Sequence, residues 1–249
     1  FLGALRPNYE PRATAYVSQM IKMITKLTSL TFAYPTGDGH VFFEVGKFAD
    51  YGRLSNKKLG ELKEGVRIEN EDTKRNPLDF VLWKPSTNEE PGWDSPWGRG
   101  RPGWHIECSA MAKDILGEQF DIHGGGIDLI FPHHENEIAQ STCSNDMKKF
   151  ANFWLHNGFL KIEGEKMSKS LNNFLTVFDL IKRDFSGPAI RYNMLSTHYR
   201  QPLDWKFERL AEAEKTLIKW NNKMEFEREV GLPNKVLNAL LDDLNTPLS

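Results

Sequence analysis

Two stretches of this chain hold residue types whose spacing suits chemistry. The first is Phe120-Asp-Ile-His-Gly-Gly-Gly-Ile-Asp-Leu-Ile-Phe-Pro-His-His-Glu-Asn-Glu137. It predicts a short buried strand, three glycines, a second apolar run, and a helix opening at Pro132, where a missing N–H costs nothing. His133 and Glu137 are four apart and so share one helix face. An imidazole and a carboxylate on one face make half a metal site. His134 also lies within one turn of Glu137, and spacing leaves the two histidines tied. Gly124, Gly125 and Gly126 allow a backbone to approach a ligand more closely than side chains permit. The second stretch is Lys166-Met-Ser-Lys-Ser170. Two ammonium groups three apart on a polar loop, with two hydroxyls, suit a polyphosphate whose charge grows as a leaving group departs.

These residues need elements to position them. Pro11 to Leu30 predicts an amphipathic helix, with Tyr16, Val17, Met20, Ile24 and Leu27 near helical spacing. A turn at 35–39 and strands over His40–Val45 and Leu78–Trp83 follow. Between them, 51–76 is polar without sustained apolar period and reads as an exposed insertion. Pro85 to Gly103 is a long proline- and glycine-rich loop, ordered or mobile, of the kind that is usually functional or disordered. A helix is expected from Gly103 through Leu116, strands at Phe153–His156 and Phe159–Ile162, and a polar loop at Glu163–Ser170. Helices are expected at 177–182, 188–197, 208–223 and 234–244. Alternating α and β followed by helices predicts an α/β domain and then an α-helical region.

Composition narrows the class. The chain has 249 residues, 39% hydrophobic and 27% charged, with no apolar run near the roughly 20 residues that cross a bilayer. A net charge of −2 argues against general coating of nucleic acid. Two cysteines, Cys108 and Cys143, make no disulfide framework and point to a reducing, cytoplasmic setting without membrane. The opening Phe-Leu-Gly-Ala-Leu-Arg, without an initiator Met, suggests a fragment.

Lys166-Met-Ser-Lys-Ser170 is similar to the signature loop of class I aminoacyl-tRNA synthetases. Glu10-Pro-Arg-Ala-Thr14, Arg75 to Lys84, Gly100 to Met111, Asp121 to Ser141 and Asp242-Asp-Leu-Asn-Thr-Pro247 resemble the cysteinyl-tRNA synthetase family in particular. The resemblance implies a Rossmann-type parallel-sheet catalytic domain with a connective insertion, then an α-helical region. It implies ATP-dependent ligation of L-cysteine to tRNA through cysteinyl-adenylate, with ATP and magnesium. Lys166, Lys169 and His123 would be catalytic, with Lys169 and Ser168 on ATP. Trp104, Asp128 and Gly125 would contact substrate. Zinc would be held by Cys108, His133 and Glu137, the resemblance breaking the tie between the two histidines. Cys143 is expected to be a packed thiol. Zinc binds thiolate far better than hydroxyl, so a substrate thiolate on the metal would separate cysteine from serine where packing cannot.

The family's His-Ile-Gly-His and an upstream cysteine ligand are absent from this sequence. In the family both lie in the first Rossmann half. The expected spans are therefore 1–30 for the end of that half, 31–95 for the insertion and 96–155 for the second half with the zinc and adenylate site. The signature loop and stem-contact region would fill 156–207, and a helical domain would start at 208–249. A non-catalytic tRNA-binding fragment and a cysteine–amino-sugar ligase of mycothiol synthesis are the alternatives. Lys182, Arg183, Arg191 and Arg200 lean toward a tRNA-facing surface.

Overall fold

The computed structural model describes residues 1–57, 73–168, 171–222 and 232–249. The chain divides into two compact units, one of residues 9–155 and one of residues 1–8 with 156–249.

The 9–155 unit is built on helix α1 (Val17–Ser29), whose buried positions Val17, Met20, Met23, Ile24 and Leu27 recur every three or four residues. Each such side chain contributes about 1.5–3 kcal/mol when withdrawn from water. They pack in one core with Phe43, Phe80, Leu82, Trp83 and Ile106. Strands β1 (Ala33–Pro35), β2 (Val41–Phe43), β3 (Phe80–Pro85) and β4 (Gly100–Pro102) form a four-stranded sheet in that order. All three pairings are antiparallel, and β1 and β2 are joined by the short turn over 36–40. Buried Asp79 fastens the entrance to β3 by accepting hydrogen bonds from Tyr34 Oη at 2.8 Å and Val45 N at 3.0 Å. The long 85–103 loop is ordered, for it contains β4 and a bridge between Trp93 and Gly100.

Helix α2 (Trp104–Leu116) begins directly after Gly103. A Cβ on Gly103 would run into the Val81 carbonyl, so only glycine lets the helix start so close to β3. Strand β5 (Phe120–Gly126) includes all three glycines and pairs with β6 (Ala151–Asn157). Contrary to the expectation of a buried strand, Asp121 and Ile122 are exposed. The regular helix α3 runs over Glu135–Ser144 and starts later than Pro132. A π-turn over Ile130–His134, broken by extended backbone at Phe131, precedes it and carries both histidines.

Helix α3 is buried yet polar. Glu135 accepts from the backbone N–H of Gly52 (2.8 Å) and Ser55 (2.7 Å), and Asn136 from Tyr51 Oη at 2.5 Å. Gln140 accepts from Ser109 Oγ at 2.6 Å. Polar partners thus replace the apolar face that sequence periodicity looks for.

In the other unit, β7 (Leu160–Ile162) stands between β8 (Glu165–Lys166) and β9 (Leu203–Trp205). The β7–β9 pairing is parallel and β7–β8 antiparallel. Two expectations are corrected here. Glu165 and Lys166 leave the predicted loop for a strand, because Glu163 and Gly164 both take positive φ (50° and 85°) and close a hairpin with the twist that favours pairing. The predicted helical tail also holds β9. Helices α4 (Val177–Lys182), α5 (Gly187–Leu195), α6 (Phe207–Asn221) and α7 (Asn234–Leu241) fill the rest. Thr176 and Asp179 close a capping box on α4, and Ser186 caps α5 with Pro188 in its first turn. Leu180, Ala189, Ile190, Trp205 and Leu210 make the core. Arg200 stands on a turn rather than a helix face, and its exposed guanidinium forks onto Asp243, which also accepts from Tyr199 Oη at 2.7 Å. Arg191 donates to the Gly3 carbonyl at 2.7 Å.

Candidate functional site

Helices α2 and α3 pack against each other, and the functional side chains meet where they do. One turn into α2 stands Cys108; the turn before α3 supplies His133, and α3 itself Glu137. Their ligand atoms all lie within 4.8 Å of one another. His133 Nε2 is 2.6 Å from Glu137 Oε1, so the four-residue spacing works across the broken turn. The other ring nitrogen, His133 Nδ1, is 2.7 Å from His105 Nδ1. One of the two must donate and the other accept, so this pair couples the tautomers of His105 and His133. Trp104, at the exposed start of α2, lies with its ring centroid 4.2 Å from that of His133, tilted by 37°.

Glu137 is 1% exposed and faces a second histidine. His123 Nε2, projecting from β5, is 3.1 Å from Glu137 Oε2. That oxygen nevertheless has no aligned hydrogen-bond donor, and the approach is an ion pair in distance only. His123, His134 and Glu137 form a second convergent set within 4.8 Å. Both histidines of the tied pair therefore face Glu137, one in each set.

The electrostatics follow from this crowding. Burial alone would push the Glu137 carboxyl up, but the facing imidazoles of His123 and His133 overcome it and hold it at about 2. Burial, then the charges of Glu137 and Glu107, push the Cys108 thiol up to about 12. His105 is lowered to about 4 by burial first and then by His133, against the pull of Glu137. Without a cation the thiol stays protonated; a coordinated metal would deprotonate it. A sulfur, an imidazole and a carboxylate are ligands zinc accepts, and here their donor atoms converge on one point. The residues fit a zinc ion.

The remaining expected residues divide between the units. Gly125 lies in β5, where a Cβ would meet His134 Nε2 at 3.1 Å and Leu129 Cδ1 at 3.0 Å. Asp128 is exposed on the 3-10 turn after β5, its carboxylate directly over Gly126. In the other unit, Lys166 is exposed on β8 with Nζ 4.3 Å over the Phe159 ring. Ser168 donates its backbone N–H to Asn173 Oδ1 at 2.8 Å. Lys169 lies outside the described residues. Cys143 is buried, free and packed in the main core, with burial raising its thiol to about 12. Sequence reasoning missed His105, which no spacing rule singles out because it meets His133 from a different element.

Known proteins resemble this chain over most of its length. Residues 1–215 match the family described as tRNA synthetases class I (C) catalytic domain. A cysteine–tRNA ligase of Ruegeria pomeroyi is 55% identical over 99% of this chain and 53% of its own. One of Paramagnetospirillum magneticum is 57% identical over 100% of this chain and 55% of its own. The chain spans about half the length of these relatives. Among solved structures, Mycobacterium tuberculosis methionyl-tRNA synthetase in complex with methionyl-adenylate aligns with a TM-score of 0.59 at 13% identity, over 84% of this chain and 51% of that one. At that identity the likeness shows fold, and the fold is the α/β, Rossmann-type one of class I synthetases. With the family match covering most of its length, the chain belongs to the class I (C) tRNA synthetase catalytic-domain family.

Proposed function

We propose that this chain serves an ATP-dependent, cytoplasmic ligase that joins L-cysteine to its tRNA, with Cys108, His133 and Glu137 as protein ligands of an active-site zinc. The observation that carries the reading is the convergence of those three donors from α2, the broken turn and α3. Support also comes from relatives named cysteine–tRNA ligase at 55–57% identity. In this reading residues 31–95 are the connective insertion and 96–155 carry the zinc and adenylate site. Residues 156–207 hold the signature loop and the stem-contact region, and the helical domain begins at 208.

The zinc supplies a Lewis-acidic centre for the thiolate of the substrate. This chain's residues do the rest. Trp104 walls the side of His133 and shields it from water. His123 faces the reacting carboxylate and α-phosphate of ATP, and Asp128 accepts from the ribose or the substrate amine. Gly125 leaves its strand bare for close approach. Lys166 and Lys169, with Ser168, neutralise departing pyrophosphate, whose magnesium accompanies ATP. Cysteine's carboxylate attacks the α-phosphate and pyrophosphate leaves, giving cysteinyl-adenylate; a 3′-terminal hydroxyl of tRNA then attacks its carbonyl carbon and AMP leaves. Catalysis is mostly positioning and charge stabilisation.

The test is Cys108→Ser in the longer protein. Metal analysis should show zinc lost, and pyrophosphate exchange with cysteine against serine should show the preference lost with it. Retention of both would overturn the assignment.

A further inference from the structure

We infer that His123, His134 and Glu137 form a second cation site, one that takes a borderline divalent ion such as Zn²⁺ or Co²⁺ and shares Glu137 with the sulfur-containing set. The three donors come within 4.8 Å of one another without using Cys108 or His133. Glu137 offers a separate oxygen to each set: Oε1 lies 2.6 Å from His133 and Oε2 3.1 Å from His123. The first distance is a direct hydrogen bond. The second is near the edge of about 3.3 Å between two ligands of a tetrahedral ion with bonds of about 2.0–2.1 Å. Oε2 is also buried with no aligned donor, a costly state that a cation would relieve.

The surroundings suit an ion as well. A Cβ at Gly125 would stand 3.0 Å from His134 Cε1 and 3.1 Å from Nε2, so the glycine lets β5 pass close to that ring. Phe150 and Trp154 hold the His123 ring at centroid distances of 5.4 and 4.8 Å. Two imidazoles with one carboxylate select zinc, cobalt, nickel or copper over magnesium and calcium. Lacking a thiolate, the site binds more weakly than its neighbour, and solvent completes its coordination. An ion there would occupy His123 Nε2 and withdraw that residue from the role proposed above; only this consequence rests on that proposal.

The experiment is Co²⁺ titration of the full chain, with bound metal counted by equilibrium dialysis and followed in the visible and near-ultraviolet. Two ions per chain are expected, one giving a thiolate-to-cobalt charge-transfer band and one only ligand-field absorption. His134→Ala should leave one ion and the charge-transfer band. Cys108→Ser should leave one ion without that band. His123→Gln replaces the His134 variant if the latter aggregates, and should likewise leave one. A wild-type chain that saturates at one ion with the band overturns this inference and spares the zinc reading. One ion without the band does the reverse. Two ions retained by both histidine variants also overturn it.

Discussion

His105 shows how much a single imidazole outside the ligand set can decide. Its Nδ1 is 2.7 Å from that of His133, and its ring meets Phe80 edge-on at 5.8 Å. Such outer partners orient a metal-bound imidazole and raise its basicity, and their loss typically costs 10–100-fold in metal affinity. His105→Ala should therefore weaken zinc binding by about 10–100-fold, measured by chelator competition. An unchanged affinity with a lowered melting temperature would make His105 a packing residue only. At this scale the sequence was partly legible. The four-residue spacing announced His133 with Glu137, and the resemblance added Cys108. Spacing could not separate His133 from His134, a tie only the resemblance broke, and the turn around Phe131 does let both rings face the same carboxylate.

At the scale of elements, apolar periodicity located α1, and turn chemistry located the strands around it. What stayed illegible was structure held by polar partners. Helix α3 binds its buried Glu135, Asn136 and Gln140 oxygens to two backbone amides, Tyr51 and Ser109, so no hydrophobic stripe betrays its burial. Strand β8 is two residues long and depends on a turn rather than on its own side chains. The Asp242–Pro247 motif is a clip: Asp243 binds Tyr199 and Arg200, and Thr246 Oγ1 donates to the Leu195 carbonyl at 2.7 Å. Hydrogen bonds from Arg200 first and Tyr199 next lower the Asp243 carboxyl to about 2 from an ordinary 3.8. A carboxylate depressed on folding stabilises the fold above its unfolded value, and that contribution fades as pH falls through the folded one. Asp243→Asn should thus melt earlier than wild type above about pH 4, with the gap closing toward about pH 2. A gap independent of pH would mean the clip works by shape rather than charge.

For the whole molecule, the α/β class was legible from the order of strand and helix signals and from the signature loop, while the pairing of residues 1–8 with residues 156–249 in one unit was not. Division depends on which distant segments pack together, as when residues 1–8 join the C-terminal unit, and local pattern carries no trace of that. Among the described residues no helix is long and apolar enough to cross a membrane. Zinc bound only by the folded chain should raise its stability by about 2.7 kcal/mol at a free concentration one hundred times the Kd. Differential scanning calorimetry with and without zinc reads this directly. A Cys108→Ser chain that gains as much as wild type would count against zinc ligation by the sulfur.

The Glu135 carboxylate, fixed on Gly52 and Ser55, carries a consequence for isotope labelling. Both amides sit in an irregular turn with no ladder to protect them, yet each donates to a charged, buried acceptor at 2.8 or 2.7 Å. Amides exchange deuterium when their bonds open locally. Gly52 and Ser55 should therefore exchange slowly, on the timescale of the strands, while their turn neighbour Arg53 exchanges quickly. Glu135→Gln should release the two protected amides together, because one side chain holds both.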